Sequence, residues 1–479
     1  MGFDFYTRRM RKAAFHLVSM WFILFIVRLN CKTPKNPRPN IVVILIDDLD
    51  YVLAGLEPMA ITRRLVSQHG ATFTNAFIST PVCCPSRSSI LTGKYVHNHR
   101  VINNTVTGNC SSPQWQNGEE LKTMATYLQS NGYATFYGGK YLNQYGKNET
   151  GGVEHVPPGY NRWVGLVGNS RYYNYTLSVD GKRQDHGDDY HLDYLTDVLV
   201  GDIVKLLRRK GQLDRTWIVV TSDHGYHMGQ FAMPIDKRLP YETDIRVPLL
   251  VVAASHNRPP ANNKSRDIEI DSLSVVSIDL APTVLHMAGL PIPDDMDGVS
   301  LLPLVTNALT PSSQNRNVSK KEVSQVAEPW DRHCRGIDDS SEPWRTFFLI
   351  EYHGEADLQD VDLQCQQDAN TTLCLNDFGC KCQDAANNTY VCLRTLRPTG
   401  NQHANEDSLY CQFDDLQAFV ESYDLRLDPY QLNNRAYRRS CRCTVASRHR
   451  RQLIVNYSKC RGHVNCFGVS DNPKRRRHP

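Results

Sequence analysis

Residues 41–48, IVVILIDD, decide the fold. Six consecutive aliphatic residues are followed directly by two carboxylates. The run does not alternate between apolar and polar residues, so it predicts a strand buried on both faces of a parallel sheet. In open α/β sheets, ligands bind beyond the carboxyl ends of the strands. The stretch therefore predicts an α/β domain with a polar site immediately after Ile46.

The chain downstream continues with alternating strand and helix patterns. Apolar runs predict strands at 133–141, 217–225 and 247–254, and helical periodicity predicts helices at 121–131, 195–209 and 278–289. This order predicts a three-layer α/β domain over residues 40–305. The polar stretch 306–343 is expected to be a linker. Beyond it we expect a smaller α+β domain, 344–479, in which residues 419–434 form a strand, a turn and the start of a helix.

The N-terminus predicts entry into the secretory pathway. Four basic residues precede the apolar run at 13–27, which is short for a membrane span, so residues 1–31 are expected to be a signal peptide; an uncleaved anchor is the alternative. No later stretch is expected to span a membrane. Asn-x-Ser/Thr acceptors agree with this route, and they occur at Asn103, Asn109, Asn148, Asn174, Asn263, Asn317, Asn370, Asn387 and Asn456.

Cysteines and basic residues are concentrated towards the C-terminus. Most of the 15 cysteines lie between Cys334 and Cys466, which predicts disulfides that brace the smaller domain. Zinc binding by Cys380 and Cys382, or by Cys441 and Cys443, is the weaker alternative. The arginines near residues 435–451 and the tail at 474–477 form either an ordinary solvated surface or a surface for an anionic polymer.

Three predicted strands end in reactive groups. Asp47 and Asp48 follow the first strand, Lys140 follows the second, and Asp223 and His224 follow the third. If the strands share one sheet, these groups meet at one edge, where the carboxylates would repel each other unless a cation were bound. Oxygen ligands favour Ca²⁺ or Mg²⁺. The alternative for Asp48 or Asp50 is a helix cap.

Residues 81–95, PVCCPSRSSILTGKY, contain two adjacent cysteines. A disulfide between neighbours is strained, and no cluster of His and Cys suggests zinc. Pro85 suits the first turn of a helix, so Cys83 is expected at a helix N-terminus, where anions are favoured. Arg87 adds a forked cation that matches a tetrahedral oxyanion. The stretch therefore predicts a nucleophile that faces a bound phosphate or sulfate.

The sequence Cys83-x-Pro85-Ser86-Arg87, followed by Leu91-Thr92-Gly93, resembles the signature of the type I sulfatases. Residues 223–251 and 278–305 resemble later segments of the same family. The resemblance implies an alkaline-phosphatase-like α/β fold. It also implies that the formylglycine-generating enzyme of the endoplasmic reticulum converts Cys83 to formylglycine (3-oxoalanine), whose hydrated aldehyde attacks sulfur. Cys84 is then only the variable position.

The resemblance also implies the roles of individual residues. One Ca²⁺ would be held by the modified Cys83 and by Asp47, Asp48, Asp223 and His224, while Arg87, Lys140 and Lys237 would neutralise the sulfate. The family branch that the chain most resembles removes 6-O-sulfate from N-acetylglucosamine in heparan and keratan sulfate. That branch implies a lysosomal enzyme, with secretion as the alternative, acting on sulfated glycosaminoglycans and not on nucleic acid.

Two departures from the family pattern stand out. Between Leu199 and Asp202 the family has a long segment with a buried strand and a histidine that contacts sulfate, and this chain lacks it; His186 and His191 are poor substitutes. His224 also stands where the branch usually has Asn. The alternatives are therefore a catalytically impaired chain that binds glycosaminoglycan, an extracellular heparan sulfate 6-O-endosulfatase, or a phosphatase or phosphodiesterase, although Cys83 argues against the last class.

Overall fold

The computed structural model describes residues 38–65, 70–195, 207, 209–233, 235–254, 268–271, 273–309, 344–355, 384–397, 406–437 and 441–467. Asn40–Pro479 form one compact unit. The expected signal peptide, 1–31, lies outside the described residues. Within the described ranges, no helix is long and apolar enough to cross a membrane.

The main sheet of the described chain has five strands and is mixed. Their order is β1 (Asn40–Ile46), β8 (Thr216–Ser222), β9 (Leu249–Val252), β2 (Ala71–Phe73) and β10 (Ile268–Ile270). β1 and β8 are parallel, and Ile46 lies opposite Ser222. β9 runs antiparallel to both of its neighbours. Because β1 and β8 are parallel and in register, the residues that follow them emerge side by side.

β1 is less buried than the prediction of a central strand requires. It lies at an edge of the described sheet, and its residues after Asn40 are only half-buried. Alternate side chains still pack against two different clusters, with Val43 and Leu45 on one face and Ile44 and Ile46 on the other. The aliphatic run therefore does face apolar partners above and below. The incomplete burial comes from the outer edge, where none of the described strands pairs with β1.

A second sheet carries Lys140, which corrects the expectation of one shared sheet. Its order is β4 (Phe136–Lys140), β5 (Arg162–Leu166), β6 (Thr176–Val179) and β7 (Lys182–Asp185). β4 and β5 are parallel, and β4 is the edge strand of this sheet. Tyr137 on β4 stacks on Trp163 on β5, with ring centroids 4.7 Å apart. Lys140 therefore reaches the site from a different sheet, although it ends beside β1.

The helices lie around these sheets and partly match the predictions. They are α1 (Ala60–Leu65), α2 (Cys83–Thr92), α3 (Val96–His99), α4 (Pro113–Gln116), α5 (Met124–Ser130), α6 (Tyr190–Asp193), α7 (Glu242–Ile245), α8 (Leu280–Met287), α9 (Leu302–Leu309), α10 (Cys441–Tyr457) and α11 (His463–Cys466). The helix predicted at 121–131 is a 3₁₀ turn, Glu119–Lys122, followed by α5. Most of the helix predicted at 195–209 lies outside the described residues.

In its described residues, the C-terminal part contains an antiparallel sheet and two disulfides. Its strands follow in chain order as β12 (Phe347–Tyr352), β13 (Tyr390–Arg397), β14 (Glu406–Phe413) and β15 (Val420–Asp424). Cys392–Cys411 joins β13 to β14, and Cys460–Cys466 closes the loop after α10. The expected helix start after Pro429 is wrong, since residues 425–437 form turns. Cys380 and Cys382 lie outside the described residues.

The C-terminal sheet shares a hydrophobic core with the region around α2. β3 (Ala76–Phe77), which pairs with β11 (Val275–Val276), contributes Phe77 to a cluster that also contains Tyr95, Phe348 and Tyr410. The ring centroids of Phe77 and Phe348 are 5.0 Å apart. The described residues on both sides of the predicted domain boundaries at 305 and 344 pack into one core. The boundaries themselves remain predictions.

One predicted glycan acceptor is unsuitable in the folded protein. Asn103 is buried, and its Oδ1 accepts hydrogen bonds from the backbone N–H and hydroxyl of Thr105. Asn148 and Asn174, by contrast, are exposed. The sequence pattern alone does not distinguish these cases, because it carries no information on burial.

Glu421 on β15 should make stability depend on pH. Burial raises the pKa of Glu421 to about 7, although Tyr241 and Tyr423 oppose the shift. In the folded protein Glu421 keeps its proton over a pH range in which the unfolded chain releases it. Its contribution to the free energy of unfolding is therefore full below the unfolded pKa of about 4.3 and is lost as pH rises towards 7. We expect the free energy of unfolding to fall by roughly 3 kcal/mol over this range on account of Glu421.

Urea unfolding at pH 4.5 and pH 7.5 checks this expectation. Glu421→Gln should remove most of the fall in the free energy of unfolding between these two pH values. Glu149→Gln, at an exposed position, should leave that fall unchanged. An unchanged pH dependence in Glu421→Gln would contradict the assignment.

Candidate active site

The buried helix α2 begins at Cys83. Val82 is the extended residue before the helix, and Gly93 ends it with φ 69°, a left-handed conformation that glycine adopts without strain. All ten residues of α2 are buried. The helix nevertheless contains several hydroxyl groups, and two of them bond back one turn, from Ser88 to the Cys84 carbonyl at 2.9 Å and from Thr92 to the Ser88 carbonyl at 2.7 Å. These bonds allow a polar helix to lie inside the protein.

Cys84 has a structural role that the sequence analysis missed. It forms a disulfide with Cys110, and its backbone N–H donates to Asn104 Oδ1 at 2.9 Å. From the sequence we considered only a bond between the neighbouring cysteines and treated Cys84 as the variable position of the motif, so this disulfide was not predicted. Cys83 is free and buried. The disulfide fixes the first turn of α2 and so positions Cys83.

Four of the predicted metal ligands come together. Asp47, Cys83, Asp223 and His224 each offer one ligand atom, and these atoms lie within 4.8 Å of one another. His224 Nε2 is 3.2 Å from Cys83 Sγ and 3.6 Å from Asp223 Oδ2. The parallel pairing of β1 and β8 brings Asp47 and Asp223 together, and the start of α2 adds Cys83. The sequence prediction of convergence after these two strands is therefore correct.

Asp48, the fifth predicted ligand, lies beside this group. Its Oδ1 is 2.7 Å from Lys237 Nζ and 3.4 Å from His224 Nδ1. Its φ of 61° places it in the left-handed region, which is uncommon for residues other than glycine. The turned backbone lets Asp47 and Asp48 contact different lysines. Lys237 thus reaches the site through Asp48.

Arg87 and Lys140 neutralise the carboxylates of Asp223, which is buried, and Asp47, which is partly buried. Arg87 Nε is 2.8 Å from Asp223 Oδ2, and its Nη2 is 3.2 Å from Asp47 Oδ1. Lys140 Nζ lies 3.0 and 2.9 Å from the two oxygens of Asp47. The remaining Arg87 amino group donates to the Lys140 carbonyl at 2.7 Å. We expected the forked guanidinium to face an oxyanion, but in this structure it binds the carboxylates and the end of β4.

The surrounding charges shift the pKa values of the site. Burial opposes ionisation of Cys83, but Lys140, Lys237 and His224 lower the pKa of its thiol to about 7. Lys140 is also the largest of the charges that hold the pKa of Asp47 well below its ordinary range against the effect of burial. The position of Cys83 is therefore surrounded by positive charge, which favours an anion.

Other contacts at the site could not be read from the sequence. Ser170 Oγ donates to Asp47 Oδ2 at 2.8 Å, and Tyr137 donates to the Lys140 carbonyl at 2.5 Å. Ser170 follows β5, which is parallel to β4, so the same strand-end rule would have found it if the second sheet had been recognised. His186 does not reach the site; it stacks on Tyr175 and contacts Asp193.

Calcium should stabilise the protein through this cluster. Binding to the folded state alone adds about 2.7 kcal/mol when the free ion is at 100 times its Kd. We expect Ca²⁺ to raise the midpoint of thermal unfolding and EDTA to reverse the rise. Asp223→Ala should abolish the shift because it removes a ligand, while Glu57→Ala at an exposed position should retain it. Equal shifts in both variants would show that calcium acts elsewhere.

Comparisons with known proteins agree with the geometry. The family model described as Sulfatase matches residues 39–194 and 180–290. The human N-acetylglucosamine-6-sulfatase is 36% identical over 494 residues, covering 83% of this chain and 81% of that protein. The goat protein of the same name is also 36% identical, covering 83% of this chain and 80% of that protein. An extracellular sulfatase homologue of Drosophila melanogaster is 36% identical over 369 residues, 57% of this chain and 32% of that protein.

The alignment with the human relative contains many gaps on the side of this chain. It spans 494 positions but uses 83% of 479 residues, about 400, so about 95 positions have no counterpart here. The family model likewise matches in two parts, which overlap over residues 180–194.

Solved structures support the fold. A protein solved with its substrate D-glucosamine-2-N,6-O-disulfate has a TM-score of 0.57 at 16% identity, covering 88% of this chain and 97% of that one. A phosphonate monoester hydrolase from Silicibacter pomeroyi has a TM-score of 0.56 at 17% identity, covering 89% and 97%. Both similarities concern the fold alone.

Proposed function

This chain belongs to the sulfatase family, and on that premise we propose that it hydrolyses the 6-O-sulfate of N-acetylglucosamine residues in heparan and keratan sulfate. The observation that carries the proposal is the free Cys83 at the start of a buried helix, 3.2 Å from His224 and surrounded by cations. The N-acetylglucosamine-6-sulfatases at 36% identity support the choice of sugar. The reaction would belong to glycosaminoglycan breakdown.

The donor set fits a calcium ion. Asp47 and Asp223 offer carboxylate oxygens within the cluster, Asp48 lies beside it, and oxygen is the ligand that Ca²⁺ prefers. His224 is the atypical member, because its donor is a nitrogen. A calcium ion held by these residues and by the modified Cys83 would withdraw negative charge from the sulfate oxygens.

Cys83 would supply the nucleophile after oxidation to formylglycine by the formylglycine-generating enzyme. As a hydrated aldehyde, this group supplies a hydroxyl that attacks sulfur and a second hydroxyl whose loss of a proton regenerates the carbonyl and releases sulfate. The chain's own residues prepare the site for that chemistry. Arg87 holds the two carboxylates in place, and Lys140 and Lys237 supply positive charge where the sulfate charge develops.

Among the described residues, we assign no proton donor to the departing sugar alcohol. We propose that the chain is shortened near residue 200, where the family has a histidine-bearing segment. The gaps in the human alignment and the two-part match to the family model support this interpretation. The half-buried edge strand β1 also agrees with it, because a further strand would cover that edge. General acid catalysis typically contributes 10²–10⁴-fold.

The cellular setting follows from the same premise. We propose entry into the secretory pathway and delivery to lysosomes, with secretion as the alternative, since an extracellular sulfatase homologue is among the relatives. A second candidate function is a glycosaminoglycan-binding chain of low activity. The positions of the human relative that have no counterpart in this chain favour this second function. The basic C-terminal residues give it less support, because Arg435 and Arg450 already form ion pairs with Asp424 and Glu406.

Substrate choice tests the reaction class. We expect release of sulfate from N-acetylglucosamine-6-sulfate and from an aryl sulfate, with no comparable release of phosphate from an aryl phosphate. Cys83→Ala should abolish sulfate release because it removes the precursor of the nucleophile. Phosphate release that survives Cys83→Ala would contradict the proposal. Heparin binding without any sulfate release would favour the second candidate function.

The missing proton donor predicts a dependence on the leaving group. An aryl alcohol leaves readily without protonation, whereas a sugar alcohol needs a proton in the transition state. Relative to the human enzyme, we therefore expect kcat on N-acetylglucosamine-6-sulfate to be lower by about 10²–10⁴-fold and kcat on nitrophenyl sulfate to be much less affected. Equal losses on both substrates would place the defect in the nucleophile or the metal site.

A further inference from the structure

Next to the site, the loop after β5 leads into a stack of tyrosine rings. Tyr194 stacks on Tyr172 with centroids 6.0 Å apart and planes 25° apart, and on Tyr190 at 6.1 Å and 22°. Tyr173 adds a fourth ring, 5.7 Å from Tyr194. The two outer rings are largely in solvent, with Tyr172 60% and Tyr190 64% exposed. Tyrosines usually bury their rings, so an ordered stack with open ends is unusual on a surface.

The loop that carries Tyr172 contacts the metal-ligand cluster of Asp47, Cys83, Asp223 and His224. Ser170, two residues before Tyr172, donates a hydrogen bond to Asp47 Oδ2 at 2.8 Å. Burial and then the negative charge of Asp47 raise the pKa of Tyr172, with a further contribution from Asp48, which agrees with a hydroxyl near these carboxylates. A molecule whose sulfate sits among Asp47, Lys140 and Lys237 would therefore extend towards the Tyr172 ring.

The loop is held firmly enough to present this ring. The backbone N–H of Leu195 donates to the Tyr172 carbonyl at 3.1 Å, and Leu195 itself is buried against Leu177. The side chain of Asp189 caps α6, which carries Tyr190. The tyrosine stack is thus tied to the second sheet and to α6. Ordered tyrosines lose little conformational entropy when they bind a ligand.

We propose that Tyr172 is a substrate-positioning residue that stacks on the sugar ring whose sulfate is hydrolysed. The face of an aromatic ring is electron-rich and attracts the polarised C–H groups of a pyranose face, while the tyrosine hydroxyl can bond to a sugar hydroxyl. Tyr194 and Tyr190 support Tyr172 from behind. The inference rests on the proposed function for its substrate class, and it adds a residue that selects a sugar over a bare sulfate.

Binding without turnover tests the inference separately from catalysis. In the full chain with Cys83→Ala, isothermal titration would measure Kd for an oligosaccharide ending in N-acetylglucosamine-6-sulfate and for inorganic sulfate. We expect Tyr172→Ala to weaken oligosaccharide binding about five- to tenfold, as for one lost aromatic contact, and to leave sulfate binding unchanged. Tyr172→Phe should retain most of the affinity. Tyr437→Ala, a matched change at another exposed tyrosine, should have no effect.

Each contrary result has a distinct meaning. Equal loss of oligosaccharide and sulfate binding in Tyr172→Ala would show a structural role, and unchanged oligosaccharide binding would overturn the inference. Asn174 on the same loop is an exposed glycan acceptor, so binding that appears only in Asn174→Gln would show that the chain's own glycan covers the stack. Absence of oligosaccharide binding in every variant would also overturn it. Sulfate release by the unsubstituted chain is measured independently, so its failure would contradict the proposed function instead.

Discussion

The site depends on the two ion pairs that the guanidinium of Arg87 forms with carboxylates. Two carboxylates, Asp47 and Asp223, are brought together by parallel strands and are bridged by this one side chain. Two unit charges about 4 Å apart repel by about 4 kcal/mol at an effective dielectric of 20, so the arrangement requires a cation between them. Because Arg87 also bonds to the Lys140 carbonyl, it joins the helix α2, the main sheet and the second sheet at one point.

The sequence revealed the site more completely than it revealed the fold around it. Asp47 and Asp223 could be paired because strand ends in α/β proteins meet at one edge, and Cys83 could be placed because proline marks a helix start. The second sheet could not be foreseen, since strand patterns do not state which strands pair. The disulfide of Cys84 was missed for a related reason: its partner, Cys110, is 26 residues away, and only the fold brings the two together.

The half-buried β1 connects the fold to the question of activity. A strand of six aliphatic residues normally lies inside a sheet, yet here none of the described strands covers its outer edge. β4, whose last residue contacts Asp47, is likewise an edge strand, and Phe136 at its start is 59% exposed. We propose that the family segment absent from this chain would cover the open edge of β1. Cys83 and the cationic side chains of Arg87, Lys140 and Lys237 are in place without that segment.

The modification state of Cys83 tests the central claim most directly. The protein would be secreted from a eukaryotic cell, reduced and digested with trypsin, and the mass of the fragment containing Cys83 would be measured. We predict an aldehyde in place of the thiol at Cys83 and an unmodified thiol at Cys84, which serves as the internal control because reduction releases it from its disulfide. A wholly unmodified Cys83 in the secreted protein would contradict the sulfatase mechanism and leave a binding role for this chain.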